Sequence, residues 1–291
     1  QYENGEKSFE QVLKLEPYRL DGLEVYSTIL WHLRKKKQLS YLAHHMSEVD
    51  KLSPHTLCAI GNCFSLQKDH ESALRFFERA TKVNSSFTYA YTLAGHENFA
   101  NDDLEKALVS YRSAVRIDSR HYNAWYGIGI VYFRQERYEQ AEYHFRRALQ
   151  INDKSSILYC YTGMALMAQH KNHEALDMLN CALQIHPQNA VAKFKKANVL
   201  ISLHNSHEAL RELNELKLLV PKEASVHFTI GKIYAQMGHK DQALLNFNTA
   251  LDLERKGQKE NPFIKEQIAK LFDETMEDDD DTANDEYDEY E

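Results

Sequence analysis

Fifteen histidines and four cysteines give this 291-residue chain material for metal binding or acid–base catalysis, but their spacing supports neither. A zinc enzyme helix needs two histidines four residues apart with a glutamate beside the first, and structural zinc sites need closely paired cysteines. No His-Glu-x-x-His run occurs, and Cys58, Cys63, Cys160 and Cys181 form no Cys-x-x-Cys pair. They read as single buried thiols suited to a reducing compartment. His44 and His45 adjoin, so on a helix they point to different sides. His170 and His173 flank an expected turn, as do His204 and His207. There is no phosphate-cradling glycine loop and no Gly-x-Ser-x-Gly elbow. Adjacent carboxylates such as Asp102 and Asp103 fall in turns and read as solvated charge. The expectation is a protein without enzyme activity, metal or cofactor.

The elements that carry these side chains are helices. With 43% hydrophobic and 27% charged residues the chain is compatible with a packed core. Five prolines and ten glycines are too few for a fold built from tight turns, and long stretches favour helix. No run of 18 apolar residues exists, so no membrane span is expected. The net charge of −8 is carried by residues 277–291, which hold ten acids and neither Lys nor Arg; the remainder is near neutral, which argues against nucleic acid as the main partner. The chain opens on Gln1, as a piece of a longer protein would.

One spacing organises the chain. Ser27, Gly61, Gly95, Gly129, Gly163, Ala197 and Gly231 are each 34 residues apart. Twelve residues after the last six comes Ala (Ala73 to Ala243), and four further comes a large side chain: Phe77, Tyr111, Phe145, Leu179, Leu213 and Phe247. Three more bring Ala80, Ala114, Ala148, Ala182, Leu216 and Ala250. Small residues let two antiparallel helices approach, and a large one fills the space beside the crossing. A single hairpin cannot bury its apolar face, so neighbours must stack. The period and the small-small-large-small order resemble the tetratricopeptide repeat. The fold expected is all-α: a tetratricopeptide-repeat superhelical solenoid of antiparallel helix hairpins. Seven units run over 20–257, with 122–155 fitting best and 20–53 worst, where Leu39, Ala43 and Met46 replace the expected types. Residues 1–19 read as the remnant of a preceding repeat, with Phe9 and Val12 on its second helix and Pro17 ending it. Residues 258–276 read as a capping helix through Ile264, Ile268, Leu271 and Phe272, and 277–291 as a disordered acidic tail.

In such an array the first helices line the inner face, and inner residues not used for stacking are free to bind. These are the second, fifth, ninth, twelfth and thirteenth positions of each unit. Over the units from 54 to 155 they include Cys58, Asn62, Tyr89, Thr92, His96, Phe99, Tyr126, Phe133 and Arg134. Asn62, His96 and Arg134 offer hydrogen bonds to a peptide backbone or terminal carboxylate. Phe99 and Tyr126 offer apolar walls, and neighbouring Glu97 an acid for a peptide cation. The candidate peptide-binding set is thus Asn62, His96, Glu97, Phe99, Tyr126 and Arg134.

At residue level PYRLDGLEVYSTILWHLRKK (17–36), GNCFSLQKDHESALRFFERA (61–80), AYTLAGHE (90–97), RHYNAWYGIGIVYFRQERY (120–138) and PKEASVHFTIGKIY (221–234) resemble the C-terminal repeats of the Cdc-twenty-seven subunits of the anaphase-promoting complex (cyclosome). The resemblance implies a non-catalytic scaffold of a multisubunit ubiquitin ligase acting in the cell cycle, resident in nucleus and cytoplasm. It implies an inner groove that captures C-terminal Ile-Arg tails of coactivators and of a small core subunit. Other repeat subunits of the complex are implied partners, with neither nucleic acid nor membrane among them. Self-association is implied only through N-terminal repeats absent here.

Two other readings compete. A chaperone-adaptor module clamping an acidic C-terminal peptide needs basic inner residues, and the slot one turn before Asn62 is Cys58, not Lys. A repeat domain attached to a transferase needs a catalytic domain, and an acidic tail follows instead. The run Arg34-Lys35-Lys36-Lys37 reads as a solvated turn rather than a nuclear import patch, and Ser53-Pro54 as a repeat boundary that is also a minimal phosphorylation site.

Overall fold

A computed structural model describes residues 2–256 and 262–270. Every regular element among them is helical. By compactness the chain divides into two units, Gln1–Lys154 and Ser155–Glu291. The first holds α1 (Tyr2–Leu15), α2 (Leu23–His32), α3 (Lys36–Val49), α4 (Pro54–Leu66), α5 (His70–Val83), α6 (Thr88–Ala100), α7 (Leu104–Ile117), α8 (Tyr122–Arg134) and α9 (Tyr138–Ile151). The second holds α10 (Ser156–Ala168), α11 (Asn172–Ile185), α12 (Ala190–Ser202), α13 (Ser206–Leu219), α14 (Ala224–Gln236) and α15 (Lys240–Lys256). From Pro54 onward, first and second helices alike recur every 34 residues.

Local chemistry sets the ends. Pro54 opens α4, where its missing N–H costs nothing. Asp69 and Asp103 cap α5 and α7 by accepting from the backbone N–H of Ser72 and Lys106. Between the two helices of each hairpin one residue adopts a left-handed backbone, and it too recurs every 34: Arg34, Lys68, Asp102, Glu136, His170, His204 and Gly238. Only the last is the residue type that takes this conformation without strain. Asp102 and His170 are therefore turn residues by geometry, and Arg34 of the basic run is another.

The small and large slots meet as steric logic requires. A Cβ added to Gly129 would lie 2.5 Å from the Phe145 ring, and one on Gly61 would lie 2.4 Å from Phe77. Both rings are buried, each contributing about 1.5–3 kcal/mol. The repeat at 20–53 departs from the pattern in a compensated way. Ser27 carries the Cβ that glycine lacks, and the residue sixteen positions on is Ala43 rather than a ring. The freed space holds the Ser27 hydroxyl, which donates to the Glu24 carbonyl at 2.7 Å and accepts from Asn62 Nδ2 at 2.8 Å. Ahead of it, α1 packs Phe9 and Leu13 on the α2–α3 core, and Phe9 stacks on Tyr26 at 5.2 Å. Lys35 ties the same helix down by donating to both oxygens of buried Glu6, each at 2.7 Å.

In the second unit Lys193 and Lys196 of α12 reach Glu212 of α13, and Lys193 also reaches Glu215 at 2.7 Å. Residues 262–270 form a further helix that buries Ile264 against Ala243, Phe247 and Ala250, with Ile268 beside them. Leu271 and Phe272 of the expected cap, and the acidic run 277–291, lie outside the described residues.

Candidate peptide-binding groove

Within the first unit, α2, α4, α6 and α8 touch in succession, while α3, α5, α7 and α9 make no comparable contact with one another. The first helices therefore form the tighter, inner side. Positions nine of successive repeats make a row of Thr28, Asn62 and His96. Tyr89 joins the row from a second position, its hydroxyl 2.6 Å from Thr28 Oγ1. Burial raises the Tyr89 pKa, so that hydroxyl stays protonated.

Asn62 is 4% exposed and its amide nitrogen is committed, donating to Ser27 and to Thr28 at 3.1 Å. Both amide hydrogens are thus used inside the array, which leaves the carbonyl oxygen as the polar atom of this side chain not engaged by them. Of the two contacts expected of Asn62, to a peptide backbone or to a terminal carboxylate, the committed amide argues against the second. The reason is the Ser27 substitution one repeat earlier, which places a hydroxyl beneath the amide.

His96 is the better donor. Its Nδ1 lies 2.8 Å from the Tyr111 hydroxyl, which fixes the ring and points Nε2 away from that bond. The residue reaches solvent, while desolvation of the ring, reinforced by nearby His32 and His121, pushes its pKa down to about 4. The ring is neutral at physiological pH. Phe99, one turn on, is half-buried under the Arg134 guanidinium, 5.2 Å from its ring centre. Arg134 also pairs with Asp102 at 3.0 Å, both side chains being open to solvent. An exposed pair of this kind contributes about 1 kcal/mol or less and exchanges readily with a ligand's charges. Tyr126 lies two turns before Arg134 on α8, half-buried, its ring 6.0 Å from that of Phe145.

Glu97 does not belong to this surface. It is 5% exposed, and its two oxygens take Ser65 Oγ at 2.8 Å and His70 Nδ1 at 2.5 Å. Trp31 Nε1 donates in turn to Ser65 Oγ, so a partly buried chain runs from Trp31 through Ser65 and Glu97 to His70 across three repeats. Residue 97 sits about 100° around the helix from His96, which turns it into the α4–α5 side. The acid beside the groove cation is instead Asp102, which the sequence reading treated as loop charge. The fifth positions also move: Cys58 is fully buried and Thr92 is 3% exposed, so both lie beneath the groove floor. Burial pushes the Cys58 thiol well up, away from reactivity.

Sequence reasoning brought Phe99 and Arg134 together and placed Tyr89 on the inner face, but gave no groove role to Tyr111, Asp102 or Thr28. Tyr111 carried a signal, being the single tyrosine in a slot otherwise filled by Phe or Leu where a large residue is present.

Comparison with known proteins places these repeats. Tetratricopeptide-repeat family models match residues 54–87, 122–155, 166–233 and 224–256, and a TPR repeat model matches 95–136. Cell division cycle protein 27 homolog A of Arabidopsis thaliana is 50% identical over 96 residues, 33% of this chain and 13% of that protein. Anaphase-promoting complex subunit 3 of Schizosaccharomyces pombe is 47% identical over 102 residues, 35% of this chain and 15% of that one. The matched stretch is thus a small part of either relative. The crystal structure of the APC/C hetero-tetramer Cut9-Hcn1 superposes with a TM-score of 0.79 at 15% identity, covering 93% of this chain and 52% of the other, a likeness of fold.

Proposed function

We propose that this tetratricopeptide-repeat array, similar over a third of its length to Cdc27 proteins, serves as a non-catalytic scaffold segment of an anaphase-promoting complex subunit, in nucleus and cytoplasm, and that the inner face of its first unit captures a C-terminal Ile-Arg tail. The similarity to Cdc27 proteins at 47–50% identity supports the scaffold role. The observation that carries the groove assignment is the juxtaposition of His96, Phe99, Arg134 and Asp102. A terminal Ile-Arg presents a carboxylate, a guanidinium and an apolar side chain. The carboxylate takes Arg134 and His96 Nε2, the guanidinium takes Asp102, and the isoleucine lies on Phe99 and Tyr126. The ligand thereby replaces one solvent-exposed ion pair with two charge-assisted contacts. Tails of coactivators and of a small core subunit are the partners this predicts, alongside other repeat subunits of the complex.

Anisotropy titration of a fluorescent peptide ending in Ile-Arg tests it. Arg134→Ala is expected to weaken binding roughly tenfold or more, and amidation of the peptide terminus similarly. Equal affinity of acid and amide peptides sinks the assignment.

A further inference from the structure

A second surface of the first unit lies off the inner groove. At its centre the His144 ring is sandwiched between Trp125, at 5.6 Å and 27°, and Tyr132, at 5.3 Å and 14°. Three guanidiniums surround the sandwich. Arg147 lies over Trp125 at 5.4 Å, Arg137 lies over Tyr132 at 5.0 Å, and Arg112 donates to the Tyr132 hydroxyl at 2.8 Å. All three arginines are exposed. Their described partners are two rings, a phenol and, for Arg147, the Gln150 amide oxygen at 3.0 Å; none is a carboxylate. Glu142, on the same helix, is held by Arg146 at 2.7 Å. Nδ1 of His144 is buried without a hydrogen-bond partner.

Other repeats fill the same slot differently. The slot of His144 holds Phe76 in the unit at 54–87, where it stacks on Phe64 at 5.4 Å, and Glu212 in the unit at 190–223, where it neutralises Lys193 and Lys196. In the remaining units the slot holds Leu42, Ser110, Met178 or Asn246, none of them charged; here three positive charges converge on rings that hold them in place but do not neutralise them. Cation–π stacking leaves the N–H edges of a guanidinium free to donate.

We propose that this face is a docking site for an acidic segment of a partner protein, a short run of Asp and Glu whose carboxylates bridge Arg112, Arg137 and Arg147. Charge complementarity selects that occupant. A nucleic acid shares the charge, but base stacking needs open aromatic faces. Here Trp125 and Tyr132 are each covered by His144 on one side and a guanidinium on the other. Forked carboxylate–guanidinium pairing needs only the N–H edges, which remain accessible.

The test uses the whole chain and a fluorescein-labelled oligoglutamate peptide, with single-stranded oligothymidylate as competitor. Binding is expected to fall roughly tenfold or more between about 50 and 200 mM salt, as multiple released ions require. The triple variant Arg112→Gln, Arg137→Gln, Arg147→Gln is expected to lose at least roughly tenfold in affinity with unchanged helical circular dichroism. A control removing exposed Arg75, Arg79 and Arg211 is expected to bind like wild type. Trp125 fluorescence, read in a Trp31→Phe background, is expected to shift on titration as Arg147 is pulled off the indole. Equal binding by the triple variant, or displacement of the peptide by oligothymidylate at lower concentration than by unlabelled peptide, overturns the proposal. The readout is independent of the Ile-Arg groove, because neither His96 nor Arg134 is altered.

Discussion

The Tyr111 hydroxyl sits 2.8 Å from Nδ1 of His96, joining the second helix of one repeat to the inner face of the array. The ring that delivers it is wedged between glycines on two sides, since a Cβ at Gly95 or at Gly127 would approach it to 2.5 or 2.4 Å. The residue that packs the repeat therefore also orients the groove's imidazole. Tyr111→Phe keeps the wedge and removes the orientation. Stability is expected to change by only about 0.5–1.5 kcal/mol. Affinity for an Ile-Arg peptide is expected to drop severalfold in an anisotropy titration. Unchanged affinity removes His96 from the tail site.

The exchange of Ser27 and Ala43 for glycine and a ring predicts a coupled pair elsewhere. Gly129→Ser alone forces its side chain against Phe145 and is expected to cost about 1–3 kcal/mol. Phe145→Ala alone leaves a cavity and is expected to cost about 3–5 kcal/mol. The double variant is expected to lose less than the sum by at least about 1 kcal/mol. Urea midpoints of the four proteins measure this; additivity within error denies the compensation.

The left-handed turns predict opposite signs at matched sites. Glu136→Gly relieves a strained backbone and is expected to stabilise, while Gly238→Ala introduces the strain and is expected to destabilise, each by about 1 kcal/mol. Asp102→Gly gains the same relief but loses the Arg134 pair, so its melting temperature is expected to rise less than that of Glu136→Gly. Calorimetry distinguishes them.

His144 predicts an acid sensitivity. Burial, with Arg112 nearby, pushes its pKa down to about 4. The folded state thus binds this proton less tightly than the unfolded state does, near 6.5. Its contribution is complete above about pH 6.5 and is lost as pH falls from there toward about 4. His144→Phe, the type found in the same slot at Phe76, is expected to flatten the fall in melting temperature between those values. A profile parallel to wild type contradicts the assignment.

The sequence made the architecture legible because the repeat constraint is steric and local: a Cβ either fits at position 61 or 129 or does not. The 34-residue phase follows from that, and the helix starts follow from Pro54 and the capping residues. The groove was half legible. Phe99 and Arg134 fall on one face by repeat phase, on the first helices of neighbouring units, and the structure joins them. Glu97 misled because a neighbour in sequence is not a neighbour in space; one residue rotates a side chain about 100°. Asn62 is constrained in role, since its donors are taken by the hydroxyls of Ser27 and Thr28, 35 and 34 residues upstream, which no groove spacing reveals. Asp102 was overlooked because a residue in a turn reads as solvent charge until a partner from the next repeat reaches it.

Seven hairpin turns using one left-handed residue at one phase make each repeat a cassette with the same entry and exit. A segment of 34 residues cut at that residue presents the connection its neighbour already expects. Duplication or excision of a whole repeat leaves every remaining turn intact, whereas an insertion of one residue at the same place rotates all that follows. Array length is therefore free to drift in whole steps, and the spacing between two binding surfaces on such a protein is inherited as a count.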